Sequence, residues 1–285
     1  MAGGRPRDPI WTHFHKDERS PRRRRVTCVY CSINFAANPM RMRKHVLQCP
    51  GRRLTHDMTP LTCDDNDIAL ERRTILCFGD SLTWGMDPSP SFAPQRLPYE
   101  HRWTSYLSYH LEEQFVVVVD GLNERTTVFE NPLCPYNVNA STQLPSILHS
   151  HAPIHTIVLQ LGLCDLHMRL CTRPLDVVLG LMKVVSIIRH FASSTPILIL
   201  ALPVVFDNET TERWGYVNLA SRCQQVNLEL QKTIGGLTNN VHFIPLPTVR
   251  AGIDGIHLTN ENNQRVGQIV NNAITSLFPS SSRGY

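Results

Sequence analysis

The sequence predicts an α/β protein, a parallel sheet with helices on both faces, carrying a smaller basic module in front of it. Two observations carry the prediction. Five short apolar runs, Thr74–Phe78, Phe115–Asp120, Thr156–Leu161, Ile197–Leu202 and Val241–Pro245, alternate with helical stretches near Trp103–Glu112, Pro174–Phe191, Arg222–Thr233 and Asn262–Phe278. Charge divides the chain as sharply: residues 1–55 hold 13 Lys and Arg against 3 Asp and Glu, a net +10, leaving 15 against 21, a net −6, for the rest. At 285 residues there is room for one good-sized core and a module beside it.

The basic module contains Cys28-x2-Cys31-x13-His45-x3-Cys49, a spacing that suits a zinc site with two thiolates on a turn and two ligands on a helix. Asn38 is a good N-cap and Pro39 suits the first helical position, so a helix is expected through Met40–Gln48, with His45 and Cys49 four apart on one side of it. Four protein ligands close the coordination shell. The expected zinc is therefore structural, holding together a module too small to bury its own core.

Arg41, Arg43 and Lys44 would form a basic face beside that site, suited to phosphate contacts, with Arg23 and Arg24 of the run Arg22–Arg25 as further candidates. The arginine run reads equally as a solvated loop or an import signal. With Trp11 and Phe14 upstream, Asp8–Gly51 resembles a BED-type zinc finger with cysteine as the last ligand. That resemblance implies DNA binding, with the two rings packed over the zinc helix.

Residues 56–72 mix Thr, Pro, Asp and Asn without sustained periodicity and read as a linker, in which Cys63 is an exposed thiol. The expected division is 1–55 finger, 56–72 linker, 73–280 α/β domain and 281–285 tail. Nine cysteines, an odd number, fit reduced thiols and metal ligands better than a disulfide framework. The first residues lack the apolar core of a secretory signal, and Val116–Val119 is too short to span a membrane. The chain is thus expected in nucleus or cytoplasm, neither secreted nor membrane-bound.

In the α/β domain the first apolar run opens into Gly79-Asp80-Ser81-Leu82-Thr83-Trp84-Gly85, and Asp254-Gly255-Ile256-His257 lies far downstream. A serine hydroxyl needs a histidine as base and a carboxylate to orient that histidine, and all three occur here in the order Ser, Asp, His. Taken singly, Ser81 and Asp254 also read as turn formers, and His257 as a loop histidine.

These blocks, with Arg102-Trp103, Gly121-Leu122-Asn123-Glu124-Arg125-Thr126-Thr127 and Asp254–Thr259, resemble the GDSL, or SGNH, hydrolase family, over roughly Arg73 to Phe278 and in its arylesterase and acyltransferase branch. The resemblance implies a three-layer, flavodoxin-like domain, with Ser81 as nucleophile, His257 as base and Asp254 as the orienting carboxylate. Its oxyanion donors would fall at Ser81, Glu124 and Cys164.

Two positions depart from the family pattern. Where the family has Gly-x-Asn-Asp this chain has Gly162-Leu163-Cys164-Asp165, so a weak thiol donor replaces an amide. Losing one such donor typically costs on the order of 100- to 1000-fold in turnover. Glu124 stands where the family has glycine or alanine, bringing a carboxylate near the developing negative charge unless it turns away. Two readings follow: a DNA-binding protein with a weakened esterase or acyl hydrolase for a small ester substrate, or one whose hydrolase fold is a non-catalytic scaffold. The Pro- and Ser-rich segment Met86–Pro98 reads as a lid or pocket wall, or as a plain surface loop. His167, Trp214 and Tyr216 are read as packing residues rather than as the lining of an acyl pocket.

Overall fold

In a computed structural model of the full chain, the structure describes residues 14–16, 25–36, 42, 45, 49, 72–89, 94–170, 172–237 and 240–278. The chain divides into two compact units, Met1–Ile68 and Ala69–Tyr285. In the first, β1 (Phe14–Lys16), β2 (Arg25–Cys28) and β3 (Asn34–Ala36) form an antiparallel sheet with β2 central. Val26, Cys28, Met42 and Cys49 are its buried apolar cluster, with Tyr30 and Cys31 packed against it. Trp11, the side chain of Phe14, the cap Asn38-Pro39, Cys63 and most of the expected linker lie outside the described residues.

The second unit is a five-stranded parallel sheet of β4 (Arg73–Gly79), β5 (Phe115–Gly121), β6 (Thr156–Gln160), β7 (Ile197–Leu200) and β8 (Val241–Ile244). The strands lie in the order β5-β4-β6-β7-β8, which, counted within this unit, is the flavodoxin-like order 2-1-3-4-5. The chain reverses direction across the sheet between β4 and β6, and the carboxyl ends flanking that switch point are where such folds bind ligands.

Helices α1 (Ser81–Trp84), α2 (Trp103–His110), α3 (Ala140–Ser150), α4 (Pro174–Phe191), α5 (Glu209–Arg213), α6 (Leu219–Gly235) and α7 (Asn260–Leu277) connect and flank the strands. The longest follow elementary rules. In α4, Pro174 stands at the first position, the Asp176 carboxylate accepts from the Arg173 N–H at 2.8 Å, and Val177, Val178, Leu181, Val184, Val185 and Ile188 bury one stripe. In α7, the Thr259 side chain accepts from the Asn262 N–H, and Val266, Val270 and Ile274 repeat at four-residue spacing.

Most boundaries shift by one or two residues from the sequence expectation, and two of the shifts and one unexpected helix have particular causes. Strand β7 stops at Leu200 because the Asn227 amide satisfies both backbone groups of Leu202, accepting from its N–H at 2.8 Å and donating to its carbonyl at 2.9 Å. Helix α6 starts at Leu219, three residues before Arg222, because Asp207 accepts from the Leu219 N–H at 2.6 Å, a cap supplied from twelve residues away. Helix α3 was not expected. Pro145 interrupts its pattern, yet Ala140, Leu144 and Leu148 bury one face of it against the core.

Two strands end in glycines that admit no side chain. A Cβ on Gly79 would lie 2.1 Å from Thr83 Oγ1 and 2.5 Å from the Gln160 carbonyl, and one on Gly121 would lie 2.3 Å from the Trp84 backbone nitrogen. Backbone cannot yield as a flexible side chain can. Gly121→Ala is therefore expected to destabilise the second unit by on the order of 1–3 kcal/mol, read as a lowered urea midpoint. An unchanged midpoint would show that α1 can back away from β5.

Candidate active site

Ser81 sits at the turn where β4 becomes α1. The Asp80 side chain caps this four-residue helix, Oδ1 accepting from the Leu82 N–H at 3.0 Å, and Gly85 closes it in the left-handed region at φ 88°. The Asp254–His257 turn lies against it. Asp254 divides its carboxylate between two tasks: Oδ1 accepts from the backbone N–H groups of Ile256 and His257, both at 2.9 Å, while Oδ2 is 2.7 Å from His257 Nδ1. Gly255, at φ 84°, allows the turn to close.

His257 Nε2 lies 2.9 Å from Ser81 Oγ. With the Nδ1–H donating to Asp254, the Nε2 lone pair faces the serine hydroxyl, the arrangement a general base requires. All three side chains are buried, at 5 % exposure for Ser81 and His257 and 6 % for Asp254, and Trp214 lies edge-on to the imidazole at 5.9 Å.

The two departures from the family pattern follow the neighbouring strands. Glu124 comes after β5 at φ 61°, a conformation in which glycine would be unstrained, and its carboxylate accepts from Asn131 Nδ2 at 3.1 Å. Cys164 comes after β6 and is buried. Burial first, and then Asp80, Asp165 and Glu124, push its thiol well above the ordinary range, so it stays neutral and is a poor nucleophile. Ser81, Glu124, Cys164 and His257 line a single pocket of about 370 Å³.

His167, Trp214 and Tyr216, expected only to pack, line the same pocket. They reach it from two places: the segment after β6, and the end of α5, a helix too short for its periodicity to be read from sequence. Met86 and Pro94 also line it, so the segment Met86–Pro98 contributes to the pocket wall.

Sequence reasoning missed a set of buried charged groups beneath the pocket. Arg125, 3 % exposed, donates to the carbonyls of Gly79 and Asp120, to the Asp120 carboxylate and to Gln143, tying the ends of β4 and β5 together. Asp165 receives the Thr127 N–H at 3.1 Å and the Thr127 hydroxyl, joining the loops after β5 and β6. Asp80 Oδ2 has no partner among the described residues. Each stood beside a candidate in the quoted blocks, and that adjacency was the available signal.

In the first unit, the ligand atoms of Cys28, Cys31, His45 and Cys49 lie within 4.8 Å of one another, and this cluster could hold a metal ion. Cys28 Sγ is 3.8 Å from Cys49 Sγ and Cys31 Sγ is 3.1 Å from His45 Nε2. A tetrahedral zinc with Zn–S bonds of about 2.3 Å separates its thiolates by about 3.8 Å, so the donor set and the Cys28–Cys49 spacing fit that metal. Arg41, Arg43, Lys44, Arg23 and Arg24 lie outside the described residues. No helix among the described residues is long and apolar enough to cross a membrane.

Residues 77–265 match the model of the GDSL-like lipase/acylhydrolase family. Similar solved structures include a carbohydrate acetylesterase family member from Sinorhizobium meliloti, 28 % identical with a TM-score of 0.67, covering 73 % of this chain and 100 % of that one. The aryl esterase of M. smegmatis is 28 % identical at a TM-score of 0.67, covering 72 % of this chain and 100 % of its own. A putative arylesterase from Agrobacterium tumefaciens is 26 % identical at 0.65, with 72 % and 100 % coverage. No curated protein matches the chain.

The buried carboxyls set a pH dependence. Burial raises Asp80 to about 7 and Asp165 to about 6, from an ordinary value of 3.8. Between about pH 4 and 7 the folded chain therefore holds protons that the unfolded chain has released, and stability falls as pH rises through that window. Asp80→Asn keeps the Oδ1 cap and removes the titration. The variant should gain stability relative to the parent at pH 8 and not at pH 4, read as urea midpoints. An equal shift at both pH values would mean that Asp80 is ionised in the fold throughout.

Proposed function

The chain belongs to the GDSL-like lipase/acylhydrolase family, and from that premise we propose that its second unit hydrolyses esters of short acyl groups through Ser81, while its first is a zinc-held, BED-type module for DNA. The single observation that supports the hydrolase reading is the unbroken relay from Asp254 Oδ2 through His257 to Ser81 Oγ, at 2.7 Å and 2.9 Å, opening into a pocket. His257 takes the serine proton as Oγ attacks the ester carbonyl, then returns it to the leaving alcohol. Water repeats the cycle on the acyl-enzyme, and Asp254 stabilises the imidazolium in both halves.

Substrate size follows from the pocket, whose volume lies at the small end of ligand sites. The acetylesterase and aryl esterase named among the similar structures point to acetyl esters of carbohydrate or aryl alcohols as first candidates. Against transition-state binding stand the thiol at 164 and the carboxylate at 124, so turnover is slow. The competing reading, a non-catalytic scaffold, draws on the same two residues.

With 4-nitrophenyl acetate, the full chain should show slow turnover that Ser81→Ala abolishes, together with fluorophosphonate labelling of Ser81. Cys164→Asn restores an amide donor and Glu124→Gly relieves both the charge and the left-handed backbone; each should raise the rate by on the order of 10- to 100-fold. Absence of Ser81-dependent turnover and labelling in the parent and in both restored variants would leave the scaffold reading.

For the first unit, support comes from the four converging ligands and from the +10 charge of residues 1–55. Metal analysis of protein purified without chelator should find one zinc per chain, lost on changing Cys28 and Cys31 to Ser. Duplex DNA should bind with a steep salt dependence that weakens when Arg41, Arg43 and Lys44 are reversed to Glu. Binding indifferent to salt would remove the DNA assignment and leave the arginine run as an address.

A further inference from the structure

The loss of the amide at position 164 leaves the pocket short of one side-chain donor, and a phenol stands beside the gap. Tyr216 lines the pocket with Ser81, His257 and Cys164 and is only 9 % exposed. Its phenol and the Cys164 thiol are close enough for each to perturb the other's protonation. We infer that the Tyr216 hydroxyl, resting on Cys164, donates to the oxyanion in place of the missing amide. The inference rests on the hydrolase reading and names a further catalytic residue for it.

Three features of the surroundings support the role. The first is that the ring cannot wander. Gly215 turns the chain at φ 81°, the Tyr216 N–H donates to the Thr211 carbonyl at 2.9 Å, the Gly215 carbonyl receives the Met168 N–H at 2.8 Å, and the His167 ring lies edge-on at 5.3 Å. A donor held by backbone bonds and packing needs no reorganisation when charge develops, which is the condition under which an oxyanion donor is most effective.

The second is the partner that the hydroxyl holds at rest. A thiol is a weak acceptor, so the O–H gives up little when it turns away. That turn is rotation about the phenol C–O bond alone and moves no heavy atom. An Asn or carboxylate in the same place would hold the proton far more firmly.

The third is protonation. Burial first, and then Cys164, Asp80 and Glu124, push the phenol well above its ordinary value of 10, so the hydroxyl keeps its proton throughout the range in which the serine relay works. It donates a hydrogen bond and transfers no proton. The oxyanion of the tetrahedral intermediate is neutralised, as in any serine hydrolase, when the C–O double bond re-forms and the alcohol leaves with the proton from His257.

Tyr216→Phe in the full chain removes the hydroxyl and keeps the ring. With 4-nitrophenyl acetate, kcat/KM should fall on the order of 10- to 100-fold, carried by kcat with KM little changed, and the urea midpoint should stay where it is. The inhibition constant of phenylboronic acid, which forms a tetrahedral adduct on the serine, should rise in parallel. In a Cys164→Asn background the same substitution should cost less than about 3-fold, because the restored amide fills the position.

A full penalty in that background, or one accompanied by a matching loss of stability, would make Tyr216 a packing residue and overturn the inference. Unchanged kcat/KM in the single variant, beside intact Ser81-dependent turnover in the parent, would overturn it while leaving the hydrolase reading in place. A parent chain with neither turnover nor fluorophosphonate labelling would remove both.

Discussion

The second unit depends on how closely the first turn of α1 can approach the ends of two strands. Gly79 meets Thr83 and the Gln160 carbonyl, and Gly121 meets the Trp84 backbone, at separations no Cβ tolerates. Only because those positions carry hydrogen can α1 sit down on β5 and β6 and present Ser81 at the switch point of the sheet. The approach is then locked from beneath. Arg125 binds the Gly79 and Asp120 carbonyls, and the Trp103 indole donates to the Leu82 carbonyl at 3.2 Å. Position of the nucleophile is thus a property of backbone packing, and the side chains around it hold what the glycines permit.

A second constraint is electrostatic. Asp80 and Asp165 are fully buried, and the Arg125 guanidinium partly offsets the burial of Asp80. Burial above all, with Asp80 adding to it, holds Cys164 as a thiol and Tyr216 as a phenol. The same environment that makes position 164 useless as a nucleophile keeps its neighbour a donor. Glu124 adds to the field, yet its carboxylate is bound by Asn131 at the wall of the pocket.

Much of this architecture was legible in the sequence because it is written locally. The strands are apolar runs, the nucleophile follows the first of them, and Asp254 and His257 are three residues apart, so spacing alone announces a carboxylate and an imidazole within reach. What escaped was set by distant partners. Asp207 caps α6 from twelve residues upstream, Asn227 ends β7 from twenty-five residues downstream, and Thr127 finds Asp165 across thirty-eight. The pocket lining from Trp214 and Tyr216 was misjudged for the same reason: α5 is too short to show which way its end points. In the first unit the ligand spacing was visible, and the structure converges all four donors.

The division of labour within Asp254 separates the site into parts that form on different scales. Its carboxylate organises His257 through bonds that span two or three residues, so base and orienter are assembled as soon as one turn closes. Ser81 meets that turn from 176 residues away, with four of the five strands of the sheet between them in the chain. Catalytic competence therefore requires native packing between β4 and the Asp254 turn, which makes a serine-directed label a report on that packing that no measure of secondary structure supplies.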